Sequence, residues 1–342
     1  MPKFINHYTE QPDSRNFGVI LANLGTPESP AASSVRRFLR QFLSDPRVVE
    51  LPRLLWWLIL NGVILVIRPS RSAAAYREVW TEDGSPLMVN ANAQVTALTE
   101  SLAHQGITDA QVRCAMRYGE PSLMRVMREF GTLGIDRVVV IPMYPQYSGS
   151  TTGSVLDDVG ACTARLRRVP SLRFINGYAD DHQYIESLRV SVTEHWGNHG
   201  RADHLVMSFH GLPQDFCDNG DPYEDQCRTT ARLLARKLGL ESQQWTICFQ
   251  SRVGRQKWLE PYVDEVISDL PAHGIKSIEM ICPGFSVDCL ETLEEVNIGY
   301  RKLFLESGGD RFEYIPCLND QPAHIEMLAR LLIRSAADWI GE

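Results

Sequence analysis

HLVMSFHGLP, residues 204–213, is an apolar run of strand length that ends in His210, Gly211 and Pro213. A short run bounded by glycine and proline reads as a buried strand stopped by a turn. Residues 18–27, GVILANLGTP, repeat the plan: a strand, then x-Gly-x-Pro. A second pair follows in the same order, GIDRVVVIPMYPQYS at 134–148 and GIKSIEMICPGFS at 274–286, offset by 140 residues. Two ordered echoes point to a duplicated unit.

Outward from these runs, strands are expected at Gly18–Leu24, Gln111–Arg117, Arg137–Pro142, Leu172–Asn176, His204–Phe209, Trp245–Phe249, Ser277–Cys282 and Phe312–Pro316. Amphipathic stretches such as Pro121–Phe130 and Asp225–Leu238 lie between them. Continuously apolar strands alternating with helices imply parallel sheets covered on both faces. The fold class expected is α/β: two similar doubly wound, Rossmann-like domains with parallel four-stranded sheets. The first spans residues 1–178 and the second 179–342, with the last helix packing back on the first domain. Ligands of such sheets sit beyond the carboxyl ends of the strands, so a cleft between the halves is expected.

The 342 residues can bury two cores, and 44% apolar with 22% charged residues is an ordinary globular balance. A net charge of −8 without a long basic run argues against nucleic acid. The eight cysteines form no C-x-x-C, and the opening stretch PKFINHYTEQPDSRN is polar, unlike a signal sequence. Free thiols in a reducing cytoplasm are expected. No G-x-G-x-x-G follows a strand, and GSTTGS (149–154) lacks the lysine of a phosphate loop.

One segment departs from the ordinary pattern. LLWWLILNGVILVI, residues 54–67, is apolar except at Asn61 and Gly62, and Arg53, Arg68, Arg71 and Arg77 flank it. As a helix it spans about 21 Å, short of the roughly 30 Å hydrocarbon core, so it is not expected to cross a bilayer. A buried core helix is one reading. The other, for residues 51–77, is an apolar lip with Trp56 and Trp57 that rests on a membrane or grips an amphiphilic anion.

His210, on a stiff turn at a strand end, can accept a proton or ligate a borderline metal; a core histidine bonded to a carbonyl fits the same pattern. In FSVDCLETLEEV (285–296), α-helical spacing puts Asp288, Glu291 and Glu295 on one face. Carboxylates in a row suit a divalent cation, or form a solvated acidic face.

SFHGLP (208–213), FQSRVGRQKWLEPY (249–262), YPQYSGSTTGS (144–154) and FSVDCLETLEEV resemble the signature blocks of ferrochelatases, in that family's order. LANLGTPE (21–28), YREVWTEDGSPL (76–87) and RYGEPS (117–122) match further blocks, so the resemblance covers about residues 17–330. It implies insertion of Fe²⁺ into protoporphyrin IX to give protoheme, the terminal step of heme biosynthesis. His210 and Glu291 fall on the catalytic pair, while Glu295 and Asp288 fall on a proposed metal or proton path. Trp258 and Phe285 line the macrocycle pocket. Leu24, Arg68, Tyr76, Ser85 and Tyr118 fall on or beside substrate-binding positions. Cys289 stands where many relatives carry a second histidine.

The resemblance also implies no organic cofactor. No [2Fe–2S] cluster is expected, since the loop position is Gly149 and no cysteine follows Cys317. The partners implied are protoporphyrin IX and ferrous iron, with peripheral contact at the cytoplasmic face of the inner membrane and a monomer as the default state. Coproporphyrin III as the substrate, or a non-catalytic porphyrin carrier, are the alternative readings.

Overall fold

The computed structural model describes residues 4–5, 16–254 and 256–340. Most of the polar opening stretch, and Arg255 of the FQSRVG block, lie outside them. Eight strands follow in chain order: β1 (Phe17–Gly25), β2 (Ala110–Tyr118), β3 (Arg137–Pro142), β4 (Ser171–Phe174), β5 (His204–His210), β6 (Trp245–Gln250), β7 (Ser277–Ile281) and β8 (Arg311–Ile315). They form two four-stranded parallel sheets, ordered β2-β1-β3-β4 and β6-β5-β7-β8. The order is the same twice, and the echoed stretches occupy matching places: β1 and β5 are central, and β3 and β7 lie beside them.

One compact unit holds the first sheet and takes in residues up to Met143, Gly149–Gly177 and Ile325 onward. The other holds the second sheet, Tyr144–Ser148 and Tyr178–His324. In each, the central strand is almost wholly buried, as in Val19, Ile20, Val206 and Phe209. Chain reversal on each sheet falls between the central strand and its β3 or β7 neighbour, the place where loops open apart and ligands bind.

In the second unit, β6 starts from a capped turn (Ser242–Gln244) and ends in Gln250, and β7 is followed by the turn that carries Phe285. The chain then enters a ten-residue π-helix, Glu291–Tyr300, which continues as the α-helix Arg301–Glu306.

In the first unit, the apolar segment belongs to one helix, Arg53–Val79, with a π-turn at Leu60–Ile64 and Pro69 inside it. Its 27 residues correspond to about 40 Å, so the length argument made on residues 54–67 alone does not hold. By length and composition this helix could cross a membrane, though three arginines, Arg68, Arg71 and Arg77, fall in its second half. It is not a core helix. Only 17% of its most apolar window is buried, and Leu54 (76%), Ile67 (70%) and Trp57 (59%) are exposed. Trp56 differs from its neighbour, because its indole N–H donates to the Leu43 carbonyl at 2.6 Å.

Candidate active site

In the second unit, β5 delivers His210 as its last residue, half-buried at the carboxyl end of that central strand. The imidazole Nδ1 lies 2.7 Å from the Gly211 carbonyl. A carbonyl only accepts, so Nδ1 carries the hydrogen and the neutral ring keeps its lone pair on Nε2. No hydrogen bond reaches Nε2 among the described residues. The His210 ring lies 6.4 Å from that of Phe285, tilted by 49°.

Gly211 is required by close approach. A Cβ there would meet the Gln250 carbonyl at 2.7 Å and the Trp258 ring at 3.1 Å. Without one, the main chain of 210–214 lies against 257–259, with Leu259 N–H donating to Leu212 and Gln214 N–H to Lys257. The indole N–H of Trp258 donates to the Val253 carbonyl at 2.9 Å, which fixes the ring plane. His210 thus stands at the end of β5, with Trp258 and Phe285 on the chain that follows its neighbours β6 and β7 in the same unit.

The expected single face for Asp288, Glu291 and Glu295 does not form. Helical structure starts at Leu290, and a π-helix closes i→i+5 hydrogen bonds, so α-helical spacing fails along it. Asp288 precedes the helix and is buried. Its Oδ1 accepts from Tyr314 OH (2.6 Å), Thr292 Oγ1 (3.1 Å) and Cys317 N–H (3.3 Å), and its Oδ2 from Asn319 Nδ2 (2.7 Å). A carboxylate so surrounded stitches the loop to β8, with both oxygens already engaged.

Glu295 is likewise occupied. It accepts from Ser251 N–H (2.9 Å), Ser251 Oγ (2.5 Å), Tyr300 OH (2.8 Å) and, at 3.4 Å, Gln250 Nε2. Burial, then the Glu295 charge, push the Tyr300 phenol up, so it stays a donor. Glu291, one residue into the helix, is half-buried. Beside it, burial pushes the Cys289 thiol well above its ordinary value and the Glu291 carboxylate adds to the rise. Cys289 is an inert thiol here. Among the described residues, no three His, Cys, Asp or Glu side chains converge to hold an ion. The four residues expected to handle metal therefore form no ready-made cage.

Gln250 and Ser251 stand within the block FQSRVGRQKWLEPY, where the sequence assigns them no role. The structure puts them against both His210's strand and the acidic π-helix. The available signal was a polar residue closing an otherwise apolar strand, WTICFQ.

The remaining expected contacts lie in the first unit. Leu24 is half-buried near the end of β1, and Arg68 is half-buried on the helix Arg53–Val79. Tyr76 is buried, its ring edge-on to Trp80 with centroids 6.0 Å apart. Ser85 is buried and caps the helix Pro86–His104, its Oγ accepting from Met88 N–H at 3.3 Å. Tyr118 does not fit a substrate contact. It is 2% exposed, donates to Asp45 at 2.8 Å and bonds Ser154 at 3.1 Å. Burial would raise the Asp45 carboxyl, but hydrogen bonds from Ser154, Arg47 N–H and Tyr118, with the Arg117 charge, hold it low. Tyr118 belongs to this interior polar cluster.

The family model described as ferrochelatase matches residues 16–336. Among curated proteins, the ferrochelatase of Pseudoalteromonas atlantica is 49% identical over 322 residues, 94% of this chain and 89% of the relative. Ferrochelatase 1 of Shewanella oneidensis is 49% identical, covering 95% and 97%, and the ferrochelatase of Nitrosococcus oceani is 50% identical, covering 94% and 87%. Among solved structures, SirB from Bacillus subtilis with Fe³⁺ superposes with a TM-score of 0.56 at 12% identity, covering 94% of this chain and 96% of that one. At that identity the likeness speaks for the fold alone.

Proposed function

Because this chain belongs to the ferrochelatase family, it is an enzyme that inserts ferrous iron into a porphyrin in heme biosynthesis, and we propose that its porphyrin is protoporphyrin IX and that His210 and Glu291 carry the chemistry. The observation that carries this reading is the tautomer of His210, set by the Gly211 carbonyl, which leaves the Nε2 lone pair without a partner among the described residues, with the Phe285 ring 6.4 Å from the imidazole.

A free-base porphyrin holds two pyrrole N–H groups. Iron enters only when both protons leave and a nitrogen lone pair tips out of the ring plane. His210 Nε2 is the base that takes a pyrrolic proton. The Glu291 carboxylate balances the charge of arriving Fe²⁺, the reaction's metal substrate, or passes the second proton out. Trp258 and Phe285 offer aromatic faces to the flat macrocycle, and binding energy from its periphery is spent on bending it. Leu24 and Arg68, half-buried in the first unit, remain candidates for porphyrin and propionate contacts.

Anaerobic incubation with Fe²⁺ and either protoporphyrin IX or coproporphyrin III, followed by loss of porphyrin fluorescence, tests the reading. Faster turnover of protoporphyrin IX is expected. Preference for coproporphyrin III would replace the substrate, and stoichiometric binding without metallation would make the chain a carrier.

No organic cofactor is needed for this chemistry. With Gly149 at the loop position where a cysteine ligand would be needed, the purified protein should also carry no [2Fe–2S] cluster. The helix Arg53–Val79 supports peripheral contact with an anionic membrane on the cytoplasmic side: an exposed apolar face is followed by Arg68, Arg71 and Arg77.

A further inference from the structure

Gln250 closes β6 with its side chain buried at 1% exposure. Its Oε1 accepts from Ser208 Oγ at 2.7 Å, its main-chain carbonyl accepts from Gly211 N–H at 2.7 Å, and its Nε2 donates to the Glu291 carbonyl at 3.0 Å. A single residue therefore touches the strand two positions before His210, the main chain one position after it, and the first residue of the acidic π-helix.

Ser251 follows with φ of 64°, in the left-handed region. A residue with a Cβ holds that conformation only where its surroundings enforce it. Here the enforcing group is Glu295, which takes both the N–H and the hydroxyl of Ser251 and is itself steadied by Tyr300. The metal-path reading of Glu295 needs an open oxygen. The geometry uses those oxygens to lock the end of β6 onto the π-helix.

We infer that the Gln250–Ser251 dipeptide is a positioning element of the insertion reaction: it sets where Glu291 stands relative to His210, with Glu295 as its anchor and not as a ligand of iron. The dipeptide touches neither the reacting nitrogens nor the metal, and acts through Glu291. The inference rests on Glu291 acting in the reaction, as proposed above.

The test uses the full-length enzyme with Gln250→Met, Ser251→Ala and Tyr300→Phe, each alone and combined with Glu291→Gln. Thermal midpoints are recorded alongside, and kcat and the KM for Fe²⁺ are measured separately. Gln250→Met should lower kcat by about 10- to 100-fold, and the two milder variants by about 3- to 10-fold, with KM for Fe²⁺ held within about twofold. In the Glu291→Gln background each of these losses should shrink to less than about twofold, since a residue that acts through another has nothing left to position.

Losses that multiply with that of Glu291→Gln would overturn the inference. So would an unchanged kcat in all three variants, or an effect confined to the KM for Fe²⁺, which would mark Glu295 as meeting iron. Should Gln250→Met fail to fold, Ser251→Ala and Tyr300→Phe carry the same test. The single variant Glu291→Gln reports on the catalytic reading by itself. Full activity there would defeat that reading, and the dipeptide's assigned role with it.

Discussion

The hydrogen on Nδ1 of His210 is committed to the Gly211 carbonyl, across 2.7 Å and a single residue of chain. That short tether does two jobs. It orients the ring, and it leaves the other nitrogen basic in the neutral state. His210→Ala should lower the rate of metallation by about 10²- to 10⁴-fold, the range for loss of a positioned acid–base group. Porphyrin binding, followed by fluorescence quenching, should persist because Trp258 and Phe285 remain. Retention of near-normal turnover would remove the histidine from the mechanism while leaving family membership intact. Added imidazole provides a second readout, since partial rescue is expected of a missing base and not of a packing defect.

At the scale of elements, the acidic helix and the helix Arg53–Val79 both break the α-helical pattern, and each of these breaks coincides with an unusual surface. In the acidic helix Glu291–Tyr300, wider winding separates the three carboxylates that simple periodicity would align. In the helix Arg53–Val79, the π-turn falls within the exposed apolar stretch, and Pro69 lies just past it, next to Arg68. Trp57, Leu54 and Ile67 are open to solvent, whereas Trp56 is tied to Leu43. Replacing Leu54, Trp57 and Ile67 together by serine should therefore leave the thermal midpoint within a few degrees and reduce co-sedimentation with anionic lipid vesicles. Unchanged sedimentation would argue that this face is covered by something other than lipid. Replacing Trp56 should do the reverse, costing stability of order 1–3 kcal/mol by leaving a buried carbonyl unpaired, with vesicle binding little altered.

For the molecule as a whole, acid stability follows from burial. His324 sits at the start of the helix Pro322–Ser335, is 1% exposed, and donates from Nδ1 to the Asn319 carbonyl at 2.7 Å. Burial lowers its pKa to about 4, against 6.5 when unfolded. Above pH 6.5 both states hold it neutral, and it contributes no pH dependence. Below that, the unfolded chain takes up a proton that the folded chain refuses. Stability should thus fall as pH drops from about 6.5 to about 4, by roughly 3 kcal/mol at most from this group. His204, buried with both ring nitrogens engaged, is lowered too and adds to the slope. Chemical denaturation at stepped pH measures the slope, and His324→Gln should flatten it; an unaltered slope would assign the acid sensitivity elsewhere.

The architecture was legible because each strand is a bounded apolar run and the runs recur in order. His210 was legible as a strand-end histidine before a glycine. Gln250 and Ser251 were not, since a bond spanning 41 residues and a left-handed serine leave no periodic trace. Tyr118, Ser85 and Asp288 stand in matching blocks, yet a polar side chain that holds a loop looks the same in sequence as one that holds a ligand. Only burial and partners separate the two.

The repeated strand order has a further consequence, in terms of descent. When GVILANLGTP and HLVMSFHGLP are laid over one another, Gly25 falls on Gly211, Pro27 on Pro213, and Leu24 on His210. Both copies keep the turn, and only one keeps the base. Two copies of one plan carried in a single chain are always present at one-to-one stoichiometry, however dilute the protein. A mutation in one copy is then no longer imposed on the other, as it would be in a symmetric pair of identical chains. Such an arrangement permits division of labour: one strand end can be a reactive position while its counterpart is an apolar one.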